Sequence, residues 1–348
     1  MTNKKVIFNI LPSYKKGGAE KMFLYYSEIL QKDYEIYAIV PHNFKYYQEL
    51  EHINVKFLNL DIKGHYDLVA SWKFLKLLKT YQPELLICHS GRALALCNLV
   101  KKFFINKSNF PKTLAISHGG SVKRINGFDY ALGVADHISK RIKDNCQVSK
   151  IFTLTNFIKR NKINASKNND PDNISFGIIS RIAPEKNIEL ALQAIAQLKK
   201  PQIKLKIFGD GESLTMLQNL TIKLKIANQV EFMGWSNDLT ACFKQFDIML
   251  LPSNAEPFGL VILEAFDHHI PVIASNSAGP AEIITHGHDG LLFKMNDASD
   301  LAQKMLSYLE QTELRDATAR NAEQSLEQKY SFTAASKNLK NIIQEILA

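Results

Sequence analysis

No apolar run in this 348-residue chain approaches the roughly 20 residues that a membrane-spanning helix needs. The opening stretch, MTNKKVIFNILPS, has a short basic lead but no small-residue cleavage site, so it is expected to be a first strand and not a secretion signal. The four cysteines (Cys88, Cys97, Cys146, Cys242) are scattered with no CxxC spacing. That argues against a zinc site and for free thiols in a reducing cytosol. The GxGxxG fingerprint of dinucleotide binding and the P-loop are both missing, which disfavours NAD chemistry and ATP hydrolysis. No nucleic-acid recognition motif is present either.

What is there is an ordinary apolar content of 46% and an uneven charge. Residues 1–165 hold 26 basic and 12 acidic side chains, a net +14, whereas residues 166–348 hold 17 and 22, a net −5. A basic half points to an anionic partner, either nucleic acid or the anionic cytoplasmic face of a membrane. Without a recognition motif, nucleic acid falls behind. Aromatics interleave with lysines in SWKFLKLLKTY (71–81) and LVKKFFINK (99–107), as they do in helices that lie at an interface. Taken singly, each segment is better read as a helix packed on a sheet with solvated lysines. Taken together, they keep peripheral membrane contact open.

Short apolar runs alternate with helical patterns from end to end, which predicts an α/β fold with parallel sheets. In the first half the expected strands are VIFNIL (6–11), YEIYAIV (34–40), VKFLNL (55–60), LLICHS (85–90), TLAISH (113–118), HIS (137–139) and KIFTLTN (150–156), with a helix over 19–31. The polar stretch 159–173 has no apolar period and reads as a linker. After it the alternation restarts with ISFGIIS, IKLKIFG, VEFM, DIMLLPS, PVIAS and GLLF. The expectation is two doubly wound domains, 1–165 and 166–332, whose strand C-terminal ends face a central crevice. A final helix over 333–348 is expected to return to the first domain.

The most informative stretch is LPSNAEPFGLVILEAF, residues 251–266. Glu256 and Glu264 flank a Pro-Phe-Gly that reads as a helix start, with Pro257 suited to the first helical position. Gly259 allows a ligand to approach the backbone, and the free N–H groups of the helix's first turn would make an anion site. Glu264 is the one charge in an otherwise apolar run, a placement that costs free energy unless it has a partner; the alternative is an ordinary solvated helix residue. A ligand with hydroxyls and phosphate, a sugar nucleotide, suits this layout. Arg181 and Lys186, in the loop after the first strand of the second half, could hold a diphosphate, or could be two surface charges bracketing a turn. Gly17 and Gly18 open a helix after the first strand and permit close approach of phosphate or sugar. Gly209-Asp210-Gly211 and Phe232-Met233-Gly234-Trp235 end two further strands and could meet ribose or base, though both are common strand endings. His118, followed by two glycines, is a candidate for sugar contact; His89 is a weaker one. Asp170-Pro171-Asp172 falls in the linker and is read as solvated.

With these residues in order, the chain resembles family-4 retaining glycosyltransferases of the two-Rossmann GT-B architecture. The resemblance runs through GGAEK (17–21), SHGG (117–120), SRIAPEKN (180–187), FGDG (208–211), EFMGW (231–235), the Glu256-to-Glu264 run and 279–293. It implies that Arg181 and Lys186 neutralise the donor diphosphate with no metal and no further cofactor, that Glu256 holds sugar hydroxyls and that Glu264 binds the ribose. It further implies contacts from Gly17, Gly18 and His118 to the reacting phosphate and sugar, from the backbone N–H groups of Phe258, Gly259 and Leu260 to sugar or phosphate, from Gly209, Asp210 and Gly211 to ribose or base, and from Met233 to the base. The implied reaction is transfer of a hexose or N-acetylhexosamine from a UDP-sugar, less readily from GDP-mannose, with retention at the anomeric carbon. The basic first domain suggests a glycan or lipid-linked glycan acceptor in lipopolysaccharide, O-antigen or capsule synthesis, at the cytoplasmic face of the membrane. The alternatives are a UDP-sugar 2-epimerase, whose pattern would lack this carboxylate run, and an inactive accessory protein, against which the intact Glu256, Glu264, Arg181 and Lys186 stand.

Overall fold

A computed structural model describes residues 4–103, 109–160 and 174–348. The chain divides into two compact units, one of residues up to Asn156 together with Thr333–Ala348, the other of Phe157–Phe332. The division falls ahead of the 165/166 boundary expected from the sequence. Phe157 packs edge-on against Phe332, and Ile158 bridges Ser331, so both pair within the second unit. Of the stretch read as a linker, 161–173 lies outside the described residues, and with it the Asp170-Pro171-Asp172 triplet.

The first unit is built on seven strands: β1 (Val6–Ile10), β2 (Glu35–Val40), β3 (Lys56–Asn59), β4 (Leu85–Cys88), β5 (Lys112–Ser117), β6 (Tyr130–Gly133) and β7 (Lys150–Thr153). Their order is β3-β2-β1-β4-β5-β6-β7, and neighbours pair in parallel. A parallel sheet covered on both faces needs strands that are apolar throughout, and β4, Leu-Leu-Ile-Cys, is buried at every position. The helices are α1 (Gly18–Leu30), α2 (Tyr47–His52), α3 (Leu68–Tyr81), α4 (Gly91–Phe103) and α5 (Asp136–Asn145). The expected strand over 137–139 is instead the first turn of α5. Ile138 and Ile142, four residues apart, are its buried side chains, a helical period that outweighs a three-residue apolar hint. The strand at that place in the sheet is β6, whose Tyr-Ala-Leu-Gly was not read as one.

The second unit has β8 (Ser175–Ile179), β9 (Lys204–Phe208), β10 (Val230–Gly234), β11 (Ile248–Leu251), β12 (Val272–Ser275) and β13 (Leu291–Phe293), in the order β10-β9-β8-β11-β12-β13. Its helices are α6 (Ile188–Leu198), α7 (Leu214–Lys223), α8 (Leu239–Phe243), α9 (Leu260–Asp267), α10 (Ala278–Ile283), α11 (Ala298–Glu310) and α12 (Thr312–Lys329). The last helix, α13 (Phe332–Leu347), belongs almost wholly to the first unit. It buries Ala335, Leu339, Ile343 and Ile346, one stripe at helical spacing. Lys5 and Lys112 donate to the carbonyls of Leu347 and Ile346 at its C-terminus (3.1 and 2.6 Å), and Lys340 pairs with Asp33 at 2.7 Å. Lysines there also oppose the negative end of the helix dipole.

In each sheet the chain reverses its direction of travel once, between β1 and β4 and again between β8 and β11. Loops leaving the C-terminal ends of such strand pairs splay apart and leave room for a ligand.

Candidate functional site

In the second unit, the predicted residues gather at the β8/β11 reversal. The loop after β8 carries Arg181 and Lys186, and the loop after β11 carries Glu256 and leads into α9. Lys186 Nζ donates to Glu256 Oε2 at 2.6 Å, and the two side chains are only 19% and 13% exposed, so this is a partly desolvated pair. The loops are also joined by a backbone bond, Asn254 N–H donating to the carbonyl of Glu185 (3.0 Å), and by a side-chain one, Asn187 Nδ2 donating to Asn254 Oδ1 (2.9 Å). Arg181 pairs with Glu185, with its side chain 61% exposed.

The Phe208-Gly209-Asp210-Gly211 turn after β9 packs directly on this loop. Gly209 (φ +145°) stands so close that a Cβ there would lie 1.8 Å from the Ser180 carbonyl oxygen. Ile182 N–H donates to the Asp210 carbonyl at 2.8 Å, and Gly211 N–H to the Asp210 carboxylate at 2.7 Å. Met233, at the end of β10, is 40% exposed and Trp235 58% exposed, while the Gly234 carbonyl accepts from Gly209 N–H at 2.8 Å. Ends of four adjacent strands thus carry the predicted donor-binding residues of this unit.

Two expectations for the carboxylate run need correction. Pro257 is not in the helix; α9 begins at Leu260, with Gly259 (φ 103°) as its N-cap. The Pro-Phe-Gly is a bent approach, and Phe258, 3% exposed, is its apolar anchor. Nor is Glu264 the sole charge of that helix, because α9 runs on to Asp267, which is 2% exposed. Asp267 accepts from Arg160 Nε at 3.1 Å, and Arg160 also reaches Glu327 (2.8 Å) and Glu323 (2.5 Å) on α12. These three carboxylates push the Arg160 guanidinium pKa upward against the opposing effect of burial. Glu264, partly buried one turn earlier, offers its backbone carbonyl to His268 Nδ1 at 2.8 Å. The first turn of α9 presents backbone N–H groups beyond the reach of intrahelical acceptors, suited to phosphate or sugar oxygens.

Sequence reasoning missed several supporting residues here. Gly279, the second residue of α10, lets that helix start close against the approach to α9; a Cβ on it would fall 2.4 Å from the Glu256 carbonyl oxygen. The segment 279–293 carried the resemblance without a role. Asn187 and Asn254 were not singled out, although Asn187 lies inside SRIAPEKN and adopts φ +50°.

In the first unit, Gly17 is the N-cap of α1, and Gly18 is its first residue. Glu20, 8% exposed, folds back over this turn and is bonded by Ser13. His118, partly buried, follows β5, and His89, 3% exposed, follows β4. His89 Nδ1 and His118 Nε2 share a hydrogen bond of 3.1 Å. His89 sits against Phe23 and Tyr26 at centroid distances of 5.6 and 5.4 Å. Burial holds His118 down to about 4 and, with His118 beside it, His89 well below the ordinary range, so the pair is neutral at pH 7. Arg141 of α5 donates to the Gly119 and Gly120 carbonyls at 2.8 and 2.9 Å and so steadies the turn that follows His118. Arg141, just beyond the run read as a strand, was not singled out in the sequence. Among the described residues, no group of three or more His, Cys, Asp and Glu is placed to hold a metal ion, and no helix is long and apolar enough to cross a membrane.

Residues 159–325 match the family of glycosyl transferases group 1. The lipopolysaccharide core biosynthesis glycosyltransferase LpsE of Rhizobium meliloti is 24% identical over 92% of this chain and 94% of its own length. An exopolysaccharide phosphotransferase of Streptomyces coelicolor is 41% identical, but over 35% of this chain and 14% of that protein, so the shared part is a small fraction of it. Among solved structures, Anabaena HepE in complex with UDP and glucose superposes with a TM-score of 0.84, covering 98% of this chain and 100% of that one at 18% identity. That likeness is one of fold, the two-domain GT-B architecture. The group 1 match thus covers most of the second unit, and the GT-B fold extends over the whole chain.

Proposed function

We propose that the protein transfers a hexose or N-acetylhexosamine, with retention, from a UDP-sugar to a glycan or lipid-linked glycan acceptor in surface polysaccharide synthesis. The observation that carries this reading is the Lys186–Glu256 pair at the β8/β11 reversal, 2.6 Å apart and partly desolvated. It sets a phosphate-binding cation beside a hydroxyl-binding carboxylate, as a sugar diphosphate requires. Arg181 and Lys186 neutralise the diphosphate as it departs, aided by the N-terminus of α9, so the reading needs no metal ion. Glu264 binds the ribose hydroxyls. Gly209, Asp210, Gly211 and Met233 receive the nucleoside; Phe258, Gly259 and Leu260 offer backbone N–H groups. In the first unit Gly17, Gly18 and His118 are assigned to the donor's phosphate and sugar, and the unit's basic surface to the acceptor.

With no side chain assigned as a covalent nucleophile, the chemistry is front-face: the departing phosphate takes the acceptor proton while the protein supplies position and charge. The UDP complex of HepE and the lipopolysaccharide role of LpsE support the choice of donor and acceptor class. Thermal unfolding with UDP, GDP, ADP and NAD tests the donor site. UDP should raise the transition and Glu264→Ala should abolish the rise; a shift that survives in Glu264→Ala removes that residue from the site. Acceptor-dependent release of UDP, unchanged by EDTA, tests the reaction. Interconversion of UDP-GlcNAc without acceptor would identify an epimerase instead.

A further inference from the structure

The first unit carries an exposed apolar cluster that none of the assigned roles uses. Tyr66, Leu68, Val69 and Trp72 are 84%, 66%, 66% and 57% exposed, four large apolar side chains within seven positions. Three of them stand on the first turns of α3, whose opposite face is fixed to the unit by buried Ala70, Phe74 and Leu78. The loop that presents Tyr66 is tied to the helix. Asp67 caps α3 by accepting from Ala70 N–H at 2.9 Å, and it also accepts from Lys63 N–H at 3.0 Å. The cluster is therefore a built surface and not a frayed end.

Lysines surround it. Lys73, Lys76 and Lys79 are exposed further along α3, and Lys63 is exposed before it. Lys76 Nζ lies over the Trp72 ring, 3.5 Å from its centroid, which sets a cation directly against the aromatic. Between Asp61 and Glu84 the only acidic residue is Asp67, whose carboxylate is taken up in capping. The whole unit holds 25 basic and 13 acidic residues, a net +12, while Phe157–Phe332 carries −3.

We propose that this face of α3 docks on an anionic lipid bilayer, with Tyr66, Leu68, Val69 and Trp72 entering the headgroup boundary and Lys63, Lys73, Lys76 and Lys79 meeting the lipid phosphates. Aliphatic and aromatic side chains ringed by lysine are the composition of helices that lie at a membrane interface. The cores of protein interfaces are depleted in lysine, and a second copy of a +12 unit would be repelled. Charge complementarity thus selects the bilayer. The surface stands on exposure and charge; only its purpose, bringing the enzyme to a lipid-linked acceptor, rests on the function proposed above.

Sedimentation of the full chain with vesicles of phosphatidylglycerol and phosphatidylcholine, with neither nucleotide nor acceptor, tests the surface alone. Binding to the mixed vesicles should be at least tenfold stronger than to phosphatidylcholine alone and should weaken with salt. Leu68→Ser/Trp72→Ser and Lys73→Glu/Lys76→Glu should each lose it while keeping the wild-type melting temperature and UDP shift. Trp235→Phe leaves Trp72 as the sole tryptophan, and its emission should move to the blue on mixed vesicles. Equal binding to both vesicle types, no binding to either, or binding that survives in both double variants overturns the proposal. So does a concentration-dependent dimer that Leu68→Ser/Trp72→Ser dissolves, which would make a second copy the occupant. A chain that binds vesicles but shows no UDP shift keeps this surface and loses the donor reading.

Discussion

The Lys186 ammonium is 2.6 Å from the Glu256 carboxylate, so an anion that reaches Lys186 competes with that carboxylate for it. The consequence separates binding from turnover. Glu256→Gln removes the competing charge but keeps a side chain able to hydrogen-bond, so UDP affinity should hold or rise. Turnover should fall by about a hundredfold if the carboxylate aligns sugar hydroxyls in the transition state. Measuring kcat beside UDP inhibition checks this, and an unchanged kcat removes Glu256 from the reaction. At this scale the sequence supplies the candidate residues. Two carboxylates with seven residues between them, flanking Pro-Phe-Gly, and an Arg and a Lys bracketing a short loop, are all legible in one dimension. Their pairing is not, because Lys186 and Glu256 lie 70 residues apart and meet only when β8 and β11 become neighbours.

Elements show the same divide. The strands read from apolar runs recur in the sheets to within a residue or two at most ends, because buried parallel strands must be apolar throughout. The errors fell where a short run left the period undecided, at 137–139, and where a polar stretch seemed empty of structure. Arg160 sits in that stretch, yet it clamps the C-terminal end of α9 to α12 through Asp267, Glu323 and Glu327. No local pattern announces a residue whose partners are more than a hundred positions away. Removing it takes the guanidinium away from Asp267, which is 2% exposed. Arg160→Ala should therefore cost about 3 kcal/mol of stability, mostly for the buried Asp267, since Glu327 is largely solvated. Urea unfolding of the two proteins measures the loss; a cost below about 1 kcal/mol, the value of a surface pair, would show that the clamp is dispensable.

At the scale of the molecule, charge is divided between the units, and the basic unit also holds the neutral His89–His118 pair. Protonating His89 puts a charge among Phe23, Tyr26 and His118, and protonating His118 puts one against His89. His118 is held down to about 4 and His89 also well below the ordinary 6.5, so in this range the unfolded chain binds protons that the folded chain refuses. The stability owed to the neutral pair is complete above about pH 6.5 and is lost as the pH falls through the folded values. Acid also neutralises carboxylates and raises the net charge of the +12 unit, which destabilises by self-repulsion, so a falling melting temperature alone does not single out the histidines. The slope does. His89→Gln/His118→Asn keeps the carboxylates and the lysines but removes the two depressed titrations. Its melting temperature should fall less steeply than that of the wild type between pH 6.5 and 4.5, even if the double variant starts from a lower value. Parallel slopes would mean that the histidines take up protons in the folded state as readily as in the unfolded one, and that the acid sensitivity belongs to the excess of positive charge.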